Sequence, residues 1–423
     1  MWLRTIIVAT MQTIKVKHKI VQWINRQANK MVHSIAFIPA FLALLYLGLS
    51  FLMIYIDFSE TGKQVKAQMH WLRLKDASTA RTVISVIAGG ILSLTVFSFT
   101  MVMIILNQAA SQMSNRVLDK LIGNRFQQWV LGFYIGTIVY SLFLLSAIRD
   151  IDSGIYVPSL STYLLIVFAI IDIFLFIYFL HYITQSVKYS IIIGRIQRQT
   201  KKAMRKTCRL DEEREIVPVM EGNLLQSGIS GVFEGFDPGT LLGISKQHDC
   251  VFSFLCTPGT FILEDTPILH IYPQSKLLSE AEQEAIRLCI HINQEESIES
   301  NFYYGFRQLS EVAIKALSPG VNDPGTAVQS LRALFELLSY RMKHFPDNVM
   351  KDREGCVRII TQENSFDTIF NSCIIPIWQY GKQDRFVQHE MIRLLTQLQF
   401  VQDLPVIGRL LVKVNEESKK DAW

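Results

Sequence analysis

The fold is decided first by residues Ile35–Ile56, which read IAFIPAFLALLYLGLSFLMIYI. This run has no charged residue, and it is long enough for a helix to cross a hydrocarbon core about 30 Å thick, which takes about 20 apolar residues. Three similar runs follow in the first half of the chain, at Val83–Leu106, Trp129–Ile148 and Ile155–Leu180. The sequence therefore predicts an α-helical membrane domain with four transmembrane helices, followed by a soluble half.

The basic residues predict the orientation of the spans. The segment before the first span carries only basic charges, and a second basic cluster follows the fourth span between Lys188 and Arg209. Cytoplasmic flanks of membrane helices are richer in Lys and Arg than external ones. The first outer loop is also basic, but Asp57, Glu60 and Asp76 accompany its basic residues. We therefore expect both termini in the cytoplasm.

Charge and cysteine usage narrow the classes of partner. The formal net charge of +5 comes mostly from the clusters beside the spans, which favours a bilayer with anionic headgroups over nucleic acid as a partner. The six cysteines all follow the fourth span, where we expect the reducing cytoplasm, and none forms a CxxC pair. We therefore expect no structural zinc, no other metal site and no cofactor.

The rest of the chain divides by composition. A basic leader precedes the spans and is read either as an interfacial helix or as a topogenic signal. The soluble half begins with short runs separated by Gly and Pro, among them Gly231–Phe236 and Thr240–Ile244, which predict a small β barrel or sandwich. Helical periodicity follows, giving an α+β cytoplasmic region overall. The expected divisions are a leader at 1–34, the four-span domain at 35–182, a basic juxtamembrane linker at 183–220, the β barrel or sandwich at 221–275 and a mainly helical domain at 276–423.

Three helices of this last domain can be placed from periodicity and caps. The first is predicted over Ser279–Asn293, because Ser279 and Glu282 form a capping box. The second is predicted over Phe302–Leu317. The third runs from Pro324 to about Lys343, because Asp323 can cap it with Pro324 in its first turn.

A polar stripe follows one face of the second span. At 100° per residue, its polar members fall close to one line, and two apolar side chains interrupt it. Such a face predicts either a water-filled path with an apolar constriction or a close contact between packed membrane helices. The stripe, as we name it, comprises Gly89, Ser93, Phe97, Thr100, Ile104, Asn107, Ser111 and Ser114.

Asp172 is the ionisable residue in the middle of the fourth span. A carboxyl group at that depth costs a few kcal/mol to insert, so it is a functional hypothesis by default. We add it to the path-lining candidates. The alternative is a structural carboxyl, either protonated or hydrogen-bonded to Ser and Thr hydroxyls of the second span.

The best-defined local motif of the soluble half joins two predicted helices at Ala316–Ala327, read ALSPGVNDPGTA. One interpretation is a tight turn whose cap is Asp323. The other is a ligand site in which a helix N-terminus offers free N–H groups to an anion, helped by Ser318, Asn322 and Thr326. Asp323 itself favours the structural interpretation, because its carboxylate occupies the same donors.

The chain resembles a family of predicted bacterial inner-membrane proteins known only as a domain of unknown function. The resemblance rests on the string Ala316–Ala327, on Leu131–Thr137 and on the segment from Phe97 to Arg116, and it covers roughly 35–400. It departs from the family pattern at Asn115, where the family usually has proline. The resemblance implies the architecture and a multi-pass location in the bacterial inner membrane, but no biochemical activity.

Function is predicted from what the spans offer, because we find no GxSxG, P-loop or HExxH motif and expect no enzyme. The first hypothesis is a homo-oligomeric channel or transporter for an ion or small solute. In it the second span lines the path, and the cytoplasmic domain gates it. The alternative is a membrane-anchored sensor or scaffold that binds a ligand or partner through the cytoplasmic domain.

Overall fold

The computed structural model describes residues 36–60, 62, 64, 77–112, 125–148, 158–186, 188–210, 222–273, 278–294 and 296–420. The leader and Ser114 lie outside these residues, as does the side chain of Ser111. The chain forms two units. The first comprises 1–111 and 115–187, and the second comprises 112–114 and 188–423.

The described part of the first unit contains four long apolar helices. Each is long and apolar enough to cross a membrane, as the sequence predicted. Their bounds are Phe37–Phe58 (α1), Ala77–Gln112 (α2), Arg125–Ala147 (α3) and Ser159–Ser186 (α4).

Two glycines explain why α1 and α3 pack so closely. A Cβ atom on Gly132 would lie 2.5 Å from the side chain of Leu42, and one on Gly136 would lie 2.8 Å from the ring of Tyr46. Glycines four residues apart on one helix face allow the backbones of membrane helices to approach. The pair therefore fixes α1 against α3 and sets Tyr46 in the interior of the unit.

The start of α4 is held by a carboxylate from the end of α1. Asp57 is fully buried and accepts the backbone N–H groups of Leu160 and Ser161 at 3.1 and 2.8 Å, and the Ser161 hydroxyl at 2.5 Å. A carboxylate at a helix N-terminus satisfies donors that the helix leaves free. Asp57 is therefore a structural cap between two spans.

The second unit mixes helices with short strands. Its helices are Tyr189–Thr207 (α5), Pro238–His248 (α6), Glu280–Cys289 (α7), Phe302–Ala316 (α8), Pro324–Lys343 (α9), Phe366–Gly381 (α10), Arg385–Val401 (α11) and Pro405–Lys420 (α12). Its strands are Cys208–Arg209 (β1), Asn223–Gln226 (β2), Gly231–Phe236 (β3), Val251–Phe254 (β4), Phe261–Ile262 (β5), Pro267–Tyr272 (β6), Ile290–Asn293 (β7), Phe345–Pro346 (β8), Val349–Lys351 (β9) and Val357–Ile360 (β10).

The strands form separate open sheets, so the predicted closed barrel is not supported. A five-stranded sheet has the order β2-β6-β4-β10-β9, a three-stranded sheet has the order β5-β3-β7, and β1 pairs with β8. The strand β10 lies parallel to β4 although about a hundred residues separate them. The five-stranded sheet therefore includes strands from outside residues 221–275.

Two local predictions were wrong in this unit. The run predicted as a strand at Thr240–Ile244 lies in α6, because Asp237 accepts from the backbone of Gly239 and Thr240 and starts a helix there. The helix predicted over Ser279–Asn293 stops at Cys289, after which β7 pairs with β3. Strand pairing is a tertiary effect that local periodicity does not register.

The residues predicted as a juxtamembrane linker include a well-formed amphipathic helix of the second unit. In α5, residues such as Ile192, Ile196 and Met204 are buried. On its polar side, the ammonium of Lys201 forms a salt bridge with the carboxylate of Glu336 on α9, at 2.6 Å. The basic cluster after the fourth span is thus partly the polar face of a packed helix.

Candidate functional site

A group of buried polar side chains lies inside the first unit, with a member on every one of its four helices. We name it the polar cluster, and it comprises Tyr46 on α1, Ser98 on α2, Tyr134 and Thr137 on α3, and Asp172 on α4. Each of these residues is 5% exposed or less, and Asp172 is 1% exposed. The apolar side chains of the four helices surround them.

The carboxyl of Asp172 has hydroxyl groups around it but no completed hydrogen bond within the described residues. The Thr137 hydroxyl lies beside it. The phenol groups of Tyr46 and Tyr134 are close enough to interact electrostatically with the carboxylate. Ser98 in turn lies beside the Tyr134 hydroxyl. Nevertheless, both Asp172 oxygens and the hydroxyls of Ser98, Tyr134 and Thr137 lack a hydrogen-bond partner there.

This lack of partners is unusual for buried polar groups. In folded proteins most buried polar atoms are hydrogen-bonded, and each exception calls for an explanation. Asp57, in the same unit, shows the ordinary case, because three donors satisfy its carboxylate. Asp172 therefore differs from Asp57 because its carboxyl oxygens have no donor among the described residues and are available to a ligand.

A cavity of about 300 Å³ reaches the polar cluster from one end of the unit. Ser98 and Tyr134 line its inner part, and Gln127 and Gln128 lie at the start of α3. Its remaining walls are mainly apolar, and they include Phe99, Val102 and Phe179. The cavity therefore reaches two residues of the polar cluster, Ser98 and Tyr134, whose hydroxyl oxygens themselves are buried.

The stripe lies on the opposite side of α2 from the polar cluster. The interior side of α2 is marked by Ile84, Ile91 and Ser98, which are buried and seven residues apart. Gly89 is nine residues from Ser98 and so about 180° around the helix. The described residues of the stripe are all exposed in this unit, although the ring of Phe97 also contacts Phe176 of α4, with ring centroids 5.8 Å apart. They are Gly89, Ser93, Phe97, Thr100, Ile104 and Asn107.

The path-lining candidates predicted from sequence therefore fall into two groups. The stripe and Asp172 do not meet in one subunit, since one faces outward and the other inward. The hydroxyls of Ser93 and Thr100 bond to the carbonyls of Gly89 and Val96, both at 2.9 Å. The Asp172 carboxyl lies beside Thr137 of the third span, and Ser98 of the second span lies beside the Tyr134 hydroxyl of the same cluster.

The turn in the second unit that was a candidate ligand site is occupied by its own hydrogen bonds. Asp323 accepts the backbone N–H of Thr326 at 3.1 Å and the Thr326 hydroxyl at 2.6 Å. Ser318 donates to the carbonyl of Lys315 at 2.7 Å, and Asn322 adopts a left-handed φ of 47°. This geometry is that of a capped helix–helix turn.

A cavity that sequence reasoning missed lies elsewhere in the second unit. It has a volume of about 310 Å³, and its lining includes Asn301, Tyr303, Thr361 and Glu363. The Asn301 amide nitrogen and the Thr361 hydroxyl are buried without a partner in the described part of the chain. We name it the second-unit cavity. The sequence offered only Asn301 before the predicted helix, and an Asn at that position is an ordinary helix cap that does not indicate a cavity.

Charge is concentrated at one wall of the second-unit cavity. The Tyr303 hydroxyl donates to the Glu363 carboxylate at 2.6 Å. Burial raises the pKa of Glu363, whereas the hydroxyl of Tyr303 and the guanidinium of Arg341 act to lower it. Burial likewise raises the pKa of Tyr303. This wall can donate and accept protons and hydrogen bonds. Among the described residues, no three His, Cys, Asp or Glu side chains are grouped to hold a metal ion.

Comparison with known proteins agrees with this architecture. The chain is 24% identical over 333 residues to the uncharacterized protein Rv1290c of Mycobacterium tuberculosis and, equally, to the uncharacterized protein Mb1321c of Mycobacterium bovis. Each match covers 75% of this chain and 63% of the relative, so the chain spans less than two thirds of these proteins. No solved structure matches the chain. Residues 32–397 match the family described as predicted membrane protein (DUF2254), and the chain belongs to that family.

Proposed function

We propose that the protein is a homo-oligomeric channel or transporter of the bacterial inner membrane, with both termini in the cytoplasm. The second span lines its path, and the cytoplasmic domain gates it. The observation that supports this proposal is the outward orientation of the stripe on α2. A polar face directed away from its own subunit is available to neighbouring subunits.

The interior of one subunit favours an assembly over a path within a single chain. Its helices close around two apolar clusters, one with Tyr140 and Leu144 and the other with Ile91 and Phe179. A symmetric ring with α2 nearest the axis places the stripe on that axis. Phe97, which is 49% exposed, and Ile104 then form apolar rings, which can gate a pore by excluding water.

The proposal also includes a role for the basic residues that flank the spans. We expect the Lys and Arg clusters beside the first and fourth spans to contact anionic headgroups of the inner leaflet. The permeant species is an ion or a small solute, and the proposal includes no nucleic acid and no catalytic step. Gating requires the second unit to bias a membrane equilibrium between two states.

The experiment is the current across a planar bilayer that contains the purified protein. Thr100→Leu should change the unitary current, because it replaces a hydroxyl on the axis by a larger apolar group. The matched control is Thr95→Leu, since Thr95 makes the same bond to its own helix at 2.7 Å but lies about 140° around α2. Equal currents in all three proteins, or a silent bilayer with inserted protein, would contradict the proposal.

The second-unit cavity favours a second function, a membrane-anchored sensor. Asn301 offers its side-chain oxygen to the backbone of Tyr303 at 3.1 Å, which leaves the amide nitrogen for a ligand. The cavity is lined by the basic Lys206 and Arg209 and by the acidic Asp347 and Glu363, so the expected class of ligand is a small polar metabolite with at least one anionic group.

The sensor form is tested by thermal denaturation of the full-length protein with a panel of mono- and dicarboxylates and nucleotides. A ligand that raises the melting temperature should lose its effect in Asn301→Asp, which keeps the capping oxygen and removes the amide donor. The turn variant Asn322→Gly is the control and should keep the full shift. If no compound in the panel raises the melting temperature, the sensor proposal fails for these classes.

A further inference from the structure

The polar cluster contains five buried oxygen atoms that have no hydrogen-bond partner among the described residues, and two of them carry the charge of a carboxylate. They are both oxygens of Asp172 and the hydroxyl oxygens of Ser98, Tyr134 and Thr137. A carboxylate in apolar surroundings carries a large desolvation cost unless a counter-charge or hydrogen bonds offset it. The described residues supply neither. A missing positive charge is the simplest explanation.

We propose that the polar cluster is a binding site for a small monovalent metal cation, Na⁺, with Asp172 as its counter-charge. Hard cations prefer carboxylate and hydroxyl oxygens, which are the atoms that this cluster offers. One unit of positive charge neutralises the single carboxylate, whereas a divalent ion would leave a net charge in the apolar interior.

The neighbours of Asp172 support a monovalent charge. The titratable groups that face it are Tyr46 from α1 and Tyr134 from α3, both neutral phenols at physiological pH. From α2 the facing polar group is Ser98, through Tyr134. No described Lys or Arg acts on the carboxyl. The protein itself therefore provides no described ion-pair partner for Asp172.

The cavity of the first unit gives the cation a route. Ser98 and Tyr134 belong to its lining and also to the polar cluster. The cavity lies at the start of α3 and the end of α4, which is the cytoplasmic end in the proposed orientation. A cation that enters past Gln127 and Gln128 therefore reaches Ser98 and Tyr134, whose hydroxyl oxygens are buried at the inner wall, before it reaches the carboxylate.

This inference goes beyond the proposed function, because it concerns the inward face of each subunit. It holds whether or not the stripe conducts, and the two proposals can fail separately. In transport proteins a buried carboxyl of this kind is a common place for a coupling ion or a proton relay.

Infrared difference spectroscopy of the full-length protein in liposomes tests the site directly. One series changes the pH in choline chloride, and the other exchanges choline for Na⁺ at constant pH and ionic strength. We expect a carboxyl band in the wild-type difference spectra that is absent from Asp172→Asn. A band that responds to Na⁺ supports the site, whereas a band that responds to pH alone identifies a structural carboxyl that only titrates and would overturn the proposal. Identical spectra for wild type and Asp172→Asn in both series would overturn the proposal.

A second pair of variants keeps the test valid if Asp172→Asn does not fold. Thr137→Val removes the hydroxyl beside the carboxyl and keeps its shape. It should move the midpoint of the Na⁺ titration about tenfold, toward weaker binding. Thr162→Val is the matched control, because Thr162 is also fully buried but bonds to the Pro158 carbonyl at 2.9 Å. A midpoint that stays at the wild-type value in Thr137→Val would refute the site.

Discussion

The four residues Asp-Pro-Gly-Thr occur twice in the second unit, and they do the same thing both times. At Asp237–Thr240 and at Asp323–Thr326, the carboxylate accepts the backbone N–H and the hydroxyl of the threonine three residues later. Proline follows in the first helical turn, where its missing N–H costs nothing. The second copy was predicted as a cap, and the first was misread as a turn before a strand. The shorter and weaker periodicity after Asp237 explains that error.

The cap at Asp323 leads to a prediction about stability. Asp323→Ala leaves the first N–H groups of α9 without their acceptor and should lower the free energy of unfolding by about 1 kcal/mol. Asp323→Ser keeps a capping oxygen and should recover most of that loss. Chemical denaturation of the full-length protein, followed through the second unit, provides the measurement. If the alanine and serine variants are equally stable, Asp323 does not act as a cap.

Arg358 holds two acidic residues together at the edge of the five-stranded sheet, and this arrangement predicts a pH dependence. Its Nε donates to Asp352 and its Nη1 to Asp249, both at 2.8 Å. The hydrogen bond from Arg358 is the main cause that lowers the pKa of Asp352, and the N–H groups of Cys356 and Glu354 add to it. Because this pKa is lower in the folded state, Asp352 stabilises the fold above the ordinary pKa of an aspartate. That contribution is lost as the pH falls through the lowered value.

The corresponding variant is Asp352→Asn. At neutral pH its melting temperature should lie below that of the wild type, and the difference should shrink steadily on acidification. A melting series of both proteins across this pH range measures the effect. Asp347→Asn is the control, since Asp347 pairs with the largely exposed Arg209 and should change little. A difference that stays constant or grows toward low pH would exclude the assigned role of Asp352.

At the scale of elements, α5 and α8 approach each other closely at Gly305. A Cβ atom on Gly305 would lie 1.8 Å from the Thr200 hydroxyl, so this glycine is required for the two helices to touch. Gly305→Ala should force them apart and lower the free energy of unfolding by about 1–3 kcal/mol. Adding Thr200→Ala should restore part of the loss. Gly320→Ala is the control, because no atom lies within 4 Å of the position its Cβ would take.

The spans and the capped helices could be predicted because their signals are local. Ile35–Ile56 and α1 differ by two residues at each end, and α9 has the predicted bounds. The sheets could not be predicted in the same way. The strand β4 pairs with β10 on one side, and the sequence of neither strand predicts this pairing. Pairing at such separation is decided by the whole packed unit.

The residues of the candidate site also differ in whether the sequence alone could predict them. Asp172 is detectable from sequence because a carboxyl in an apolar run is conspicuous. Thr137 and Tyr134 are not, because their inward direction depends on how α3 turns when Gly132 and Gly136 seat it against α1. The described residues of the stripe lie on α2, and periodicity alone was enough to group them. Periodicity predicts which residues share one face of a helix, but the packing of the helices decides whether that face is buried or exposed.

For the whole molecule, the outward stripe predicts how subunits assemble. A Cβ atom on Gly89 would meet no atom within 4 Å, so a larger side chain there fits the isolated subunit. If α2 helices meet around an axis, however, Gly89→Leu should obstruct their approach and reduce the number of subunits measured by native mass spectrometry. Gly48→Leu on α1 is the matched control, since Gly48 is equally open and should leave the assembly unchanged. An intact assembly in Gly89→Leu would place the subunit contacts on another helix, and the stripe would then face lipid. That outcome is physically allowed, because Ser93 and Thr100 already satisfy their hydroxyls on their own backbone.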